Sequence, residues 1–271
     1  MDTRPIGVID SGLGGLTAVR RMMRIMPEED IIYFGDTGRV PYGTRSKETV
    51  IKYTKQDIAF LRTFDIKAIV VACGTMSSAA LELISGEYDI PIIGVVRSAS
   101  QKAAALTKNK KIGVIATQGT ITSGAYTRVI GEYLKDTEIY EKACPLFVPL
   151  VENGRFRKGD LVVEEVVREY LTPIKESGAD TLILGCTHYP LLFDVISDFL
   201  GEKTSLVDSG AESAEYARSV LKMTEKQAPL GRKGRIRYFV SDSPESFTGY
   251  ASLFLGEAGE YGAGYVDIEK F

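Results

Sequence analysis

Short, almost uninterrupted apolar runs recur along the chain at 6–10, 30–34, 68–72, 91–95, 111–115, 145–149, 181–184, 205–208 and 236–240. Each is too short for a buried helix. Each is also too uniformly aliphatic and β-branched for a sheet with one face in water, so the runs read as parallel strands covered on both sides. Helical patterns fill the gaps. Leu16, Val19, Met22 or Met23, and Met26 share one face, as do Leu191, Leu192, Val195, Ile196, Phe199 and Leu200. Ser46 can cap a helix that buries Ile51, Ile58 and Leu61. Strand–helix alternation of this kind predicts an α/β fold with mainly parallel sheets.

The chain also echoes itself. Pro5-Ile-Gly-Val-Ile9 returns as Lys111-Ile-Gly-Val-Ile115, each leading into a polar, glycine-containing turn and a helix. Ile69-Val-Val-Ala-Cys-Gly-Thr75 returns as Leu182-Ile-Leu-Gly-Cys-Thr187. Two similarly built halves would then each present a cysteine at the carboxyl end of a strand, where open α/β sheets bind ligands. Residues 226–233 read as a surface connection before the last strand.

Other classes are disfavoured. A net charge of −3 offers no footprint for nucleic acid or an anionic membrane, and no apolar run approaches the roughly 20 residues of a membrane span. Residues 1–5 run directly into a strand without a signal peptide, so a cytoplasmic protein is expected. Three scattered cysteines, Cys73, Cys144 and Cys186, with a single histidine make neither a disulfide framework nor a zinc site. No metal and no cofactor are expected. A dinucleotide fingerprint begins at Gly12-Leu-Gly-Gly-Leu-Thr17 with Asp36 beyond it, but Thr17 stands where close helix packing needs Gly or Ala. Asp10 would also set a carboxylate against the pyrophosphate. A tight turn whose helix N-terminus could hold a carboxylate fits better.

A lone cysteine after an apolar strand is usually a small buried hydrophobe, and Cys144 is read that way. Two cysteines at equivalent places in two halves suggest a shared task. Racemisation removes a proton from one face of Cα and returns one to the other, so it needs one base on each side. A thiol, with an ordinary pKa of about 8.5, reaches working pH with modest activation. Candidates for setting which thiol carries the proton are Asp10 on the first half and His188 on the second. An exposed, incidental His188 is the plain alternative.

Asp10-Ser-Gly-Leu-Gly-Gly15, Tyr33-Phe-Gly-Asp-Thr37, Val40-Pro-Tyr-Gly43, Ala72-Cys-Gly-Thr75, Val148-Pro-Leu-Val-Glu152 and Gly185-Cys-Thr-His-Tyr-Pro190, in this order, resemble the glutamate racemase family along nearly the whole chain. The resemblance implies two flavodoxin-like or Rossmann-like α/β domains facing each other across a cleft. We expect residues 1–97 plus 211–271 to form one and residues 98–210 the other. It implies Cys73 and Cys186 as catalytic bases, with Asp10, His188 and Glu152 assisting. Asp10, Ser11, Tyr42, Gly43, Thr75, Thr187 and His188 would contact substrate. A surface carboxylate is the plain alternative for Glu152. The implied activity is cofactor-independent interconversion of L- and D-glutamate, supplying D-glutamate for peptidoglycan. Nucleic acid and membrane are not expected partners, and a homodimer is left open.

One position departs from the family pattern. Cys-Asn-Thr-Ala-Ser is usual at the first cysteine, whereas this chain reads Cys73-Gly-Thr-Met-Ser77. The amide that would meet substrate is therefore absent at Gly74. Gly74→Asn should restore it, opposed by a positive φ at Gly74 or by the bulk of Met76. Two alternatives follow: a racemase for another acid such as aspartate, or a ligand-binding relative without catalysis. Against aspartate stands His188, since aspartate racemases tend to carry an acidic residue there.

Overall fold

The computed structural model describes residues 1–256 and 261–271. Its strands are β1 (Ile6–Asp10), β2 (Ile31–Gly35), β3 (Ala68–Val71), β4 (Ile92–Gly94), β5 (Lys111–Ala116), β6 (Glu138–Ala143), β7 (Thr181–Leu184), β8 (Ser205–Asp208), β9 (Ile236–Val240) and β10 (Ala263–Tyr265). They form a six-stranded sheet in the order β10-β9-β2-β1-β3-β4 and a four-stranded sheet in the order β6-β5-β7-β8. Every strand pairing is parallel. β1, β2, β3 and β7 are buried along their whole length, as continuous apolar runs between helical layers require.

The internal echo is visible in the topology. β2-β1-β3-β4 and β6-β5-β7-β8 share one strand order, the flavodoxin-type arrangement. In each, the order reverses between the first and third strands of the set. A crevice opens there, beyond the carboxyl ends of β1 and β3 and of β5 and β7. Helix Ser209–Met223 ties the halves together, packing on helix Leu16–Ile25 of the first and on helix Val95–Leu106.

The helical expectations hold with small adjustments. Leu16, Val19 and Met22 are buried, whereas Met23 faces solvent. Ser46 accepts from the Thr49 amide at 3.3 Å and caps helix Lys47–Leu61, which buries Ile58 and Leu61 and leaves Ile51 half-buried. The strand expected at 145–149 does not form. Those residues lead into the short helix Phe147–Glu152, and the strand is the preceding Glu138–Ala143. The reason is physical. β6 is an edge strand, half-buried along most of its length, so it carries Glu138, Glu141 and Lys142 and lacks an apolar run. Pro149 falls in the first turn of its helix, where amides have no intrahelical partner and proline costs little.

At the amino end of the first sheet, Lys67 and Glu29 form a buried ion pair, their side chains 0% and 4% exposed. Lys67 Nζ also donates to the Asp2 carbonyl at 2.8 Å, and Glu29 Oε1 accepts from the Ala228 amide at 2.9 Å. The pair thus ties the amino terminus and the approach to β9 onto β3. Lys67→Met leaves the Glu29 carboxylate buried without its cation, and should lower unfolding free energy by about 3–5 kcal/mol. Urea denaturation measures this, and adding Glu29→Gln should recover part of the loss.

Candidate active site

A cavity of about 410 Å³ opens where the carboxyl ends of the two sheets meet. Cys73 and Cys186 both line it, each separated from its strand by a single residue, Cys73 beyond β3 and Cys186 beyond β7. All three cysteines are free thiols. Ser11, Tyr42, Gly43, Gly74, Thr75, Thr187, His188 and Glu152 share the same wall. Asp10 does not reach it; it lies buried behind Ser11 at the end of β1.

The two thiols have different surroundings. Cys73 begins the short helix Gly74–Ala79, its sulfur accepting from the Met76 amide at 3.5 Å. Ser11 Oγ stands 3.4 Å from that sulfur. Burial pushes the Cys73 thiol up to about 12, and the negative charge of Asp10 adds to it, against the opposing Ser11 and Met76 contacts. Cys73 is therefore a thiol at neutral pH. Burial also raises Asp10, while the His188 charge and the Gly15, Gly12 and Ser11 amides pull it down. Asp10 accepts from the Gly12 amide at 3.1 Å, but its Oδ1 has no partner among the described residues.

On the other side stands a relay. Cys186 Sγ lies 3.9 Å from His188 Nδ1, and His188 Nε2 lies 3.0 Å from Glu152 Oε1. Burial alone would lower His188, but hydrogen bonds and charge from Cys186 and Glu152 outweigh it and lift the imidazole to about 10. An imidazolium here places a positive charge beside the Cys186 sulfur. His188 is thus buried and partnered, not the incidental loop histidine of the plain alternative. Glu152 ends helix Phe147–Glu152 with its side chain half exposed, and it is a histidine partner rather than a free surface carboxylate.

Hydroxyls complete the wall. Thr75 Oγ1 and Thr117 Oγ1 are 2.9 Å apart across the two halves, and Thr187 Oγ1 lies 3.4 Å from His188 Nδ1. Tyr42 contributes its ring and backbone only, because its hydroxyl donates to Asp36 and approaches Asp57 at 3.4 Å. Sequence reasoning missed Thr117 and Gln118, both in the wall. The echo could have found Thr117, which follows β5 as Ser11 follows β1. Cys144 also lines the cavity, but burial pushes its thiol well up and its sulfur faces only the Lys142 carbonyl, at 3.7 Å.

Gly74 corrects an expectation. Its φ is not in the left-handed region, and Met76 is not the nearest obstacle. A Cβ at Gly74 would overlap the carbonyl oxygen of Gly185, the residue before the other cysteine. The two cysteine loops therefore meet backbone to backbone, with no room for a side chain.

Comparison with known proteins fits this geometry. The sequence model for Asp/Glu/Hydantoin racemases matches residues 6–217. The chain belongs to that family. A glutamate racemase of Geobacter metallireducens is 45% identical over 94% of each chain. Among solved structures, a glutamate racemase isoform from Bacillus anthracis superposes with a TM-score of 0.93 at 38% identity, covering 98% of both chains. The Francisella tularensis glutamate racemase, solved with D-glutamate, gives 0.90 at 35% identity over 100% of both chains. An aspartate racemase from Picrophilus torridus reaches 0.58 at 17% identity, covering 83% of this chain and 96% of its own, a likeness of fold alone.

Two outcomes follow from the site of this family member. The single histidine gives one imidazole signal by NMR, expected to stay protonated at pH 8 and to titrate near 10. Glu152→Gln removes one anionic partner and should move that titration down. The stabilisation linked to it is fully present below about 6.5 and is lost as pH rises through the folded value. Gly74→Asn, instead of restoring a contact, should push the cysteine loops apart and lower kcat/KM by about tenfold or more. A steady-state assay decides the sign.

Proposed function

We propose that this protein interconverts L- and D-glutamate by two-base proton transfer at Cα, without a cofactor. The observation carrying the reading is a single cavity walled by Cys73 and Cys186, each just past the end of an equivalent strand, with Cys186 beside an imidazolium. Cys186 as thiolate takes the Cα proton from one face. The C–H electron pair is left on Cα and delocalises into the carboxylate. The Cys73 thiol then gives its proton to the opposite face, leaving thiolate on Cys73 and thiol on Cys186. That is the charge state from which the reverse reaction begins.

Charge and hydroxyls support the division of labour. Ser11, Thr75, Thr117 and Thr187 supply donors for the substrate carboxylates, and the wall around Tyr42 and Gly43 supplies backbone groups. Glu152 helps hold His188 charged, and His188 sets that charge beside Cys186. Glutamate is favoured over aspartate by full-length relatives that carry the glutamate name, against only a distant likeness to an aspartate racemase. Both thiols and their partners retained in one wall weigh against a non-catalytic relative. Among the described residues, no cluster of three or more His, Cys, Asp or Glu could hold a metal.

The same reading extends to context. No helix among the described residues is long and apolar enough to cross a membrane. A cytoplasmic enzyme whose D-glutamate enters peptidoglycan and helps maintain cell shape fits the activity, with a homodimer as its assembly. The domain division at 1–97 plus 211–271 and 98–210 is supported by the sheets, whose strands fall on either side of it.

Purified protein treated with a chelator and free of pyridoxal phosphate should interconvert the glutamate enantiomers, followed by circular dichroism. Cys73→Ser and Cys186→Ser should each slow this by about 10²–10⁴-fold. Activity that appeared only on adding pyridoxal phosphate would sink the two-thiol reading.

A further inference from the structure

His188 sits in the half that carries Cys186, yet two of its walls come from the other half. Gly14, in the turn between β1 and helix Leu16–Ile25, passes so close to the imidazole that a Cβ there would stand 2.6 Å from Nδ1 and 2.7 Å from Cε1. It would also overlap Thr187 Oγ1. Phe254, buried near the end of helix Pro244–Leu255, sets its ring 5.2 Å from the imidazole at an interplanar angle of 84°. That helix packs on helix Leu16–Ile25 and on β9 and β10 of the first sheet. Neither Gly14 nor Phe254 belongs to the cavity wall.

The polar contacts alone do not fix the ring. Cys186 holds Nδ1 at 3.9 Å and Glu152 holds Nε2 at 3.0 Å, so a rotation of the imidazole trades both together. Glu152 is half exposed and can follow the ring outward. What bounds that rotation is packing: the edge-to-face Phe254 ring and the Gly14 backbone, which lies close to the imidazole because it carries no Cβ. The motif glycine thereby acquires a reason that a phosphate turn does not supply.

We propose that Gly14 and Phe254 are positioning residues for His188, holding its imidazole so that Nδ1 meets Cys186 and Nε2 meets Glu152. The proposal rests on the two-thiol reading. One proton-transfer face is therefore set by the half of the molecule that does not carry it. Cys73 is held instead by Ser11 and the Met76 amide.

Rates alone cannot separate the faces. Racemisation has an equilibrium constant of one, so kcat/KM falls equally in both directions whichever face is damaged. Primary isotope effects with Cα-deuterated L- and D-glutamate do separate them. Phe254→Leu and, independently, Gly14→Ala should lower kcat/KM by about tenfold to 100-fold. The isotope effect should rise for the enantiomer whose proton Cys186 takes and fall for the other. Cys73→Ser identifies that enantiomer as the one still exchanging its Cα proton with D2O, and Phe254→Tyr should restore most of the loss. Equal shifts for both enantiomers, or none in either variant, overturn the proposal, because a general packing defect burdens both thiols alike. If the unaltered protein does not invert glutamate, the two-thiol reading falls instead. Ring orientation is then read from the nitrogen signals of the single imidazole, which must change in both variants for the positioning role to stand.

Discussion

Contact between two backbones governs this molecule. The turns at the carboxyl ends of the two sheets press together, and glycine stands at the tightest crossings. A Cβ at Gly74 would overlap the Gly185 carbonyl oxygen, one at Gly43 would come within 2.8 Å of Thr117 Cβ, and one at Gly119 within 3.0 Å of the Gly43 carbonyl. Gly14 repeats the pattern against Thr187 and His188. In each case the obstacle belongs to the opposite half. Protein interiors tolerate little overlap before something must shift. These glycines therefore set how near the halves come, and with it where the two cysteines stand.

That approach also sets the electrostatics. Burial removes most water from both thiols, and desolvation alone favours the neutral form of a thiol. On the Cys73 side no cation among the described residues acts on the sulfur, and Asp10 behind it deepens the effect. On the Cys186 side His188, buried and bonded to the half-exposed Glu152, places a positive charge beside the sulfur. The asymmetry is useful. Two thiols with identical surroundings would ionise together or not at all, whereas proton transfer across Cα needs one base and one acid at once.

Much of this was legible in the sequence, and the limits have identifiable causes. Buried parallel strands advertise themselves because both faces need apolar side chains, so β1, β3, β5 and β7 stood out, and with them the cysteines that end β3 and β7. An edge strand has no such need. β6 hides behind its charges, and the apolar stretch that follows it reads as a strand although it enters a short helix whose buried residues are Phe147 and Val151. Gly74 was misread for another reason. Its constraint comes from Gly185, more than a hundred positions away, and no local rule about φ or neighbouring bulk reports it. Asp10 was credited with a place in the wall, but the turn it anchors puts Ser11 there instead.

One further motif, Tyr33-Phe-Gly-Asp-Thr37 with Val40-Pro-Tyr-Gly43, is absorbed by packing rather than chemistry. Arg39, its side chain 9% exposed, bonds Asp36 at 2.5 Å and Asp57 at 2.9 Å, both side chains fully buried. Tyr42 donates to the same Asp36, and Ser241 reaches its other oxygen at 2.7 Å. A buried ion cluster is weak evidence for stability, since desolvation offsets much of its attraction. Its geometry, however, ties the 40–43 wall of the cavity to helix Lys47–Leu61 and to the residue following β9. A loop fixed from two sides keeps Gly43 against Thr117. The cluster therefore serves the same end as the glycines: it makes the approach of the two halves rigid enough for a thiol on each side to face one carbon.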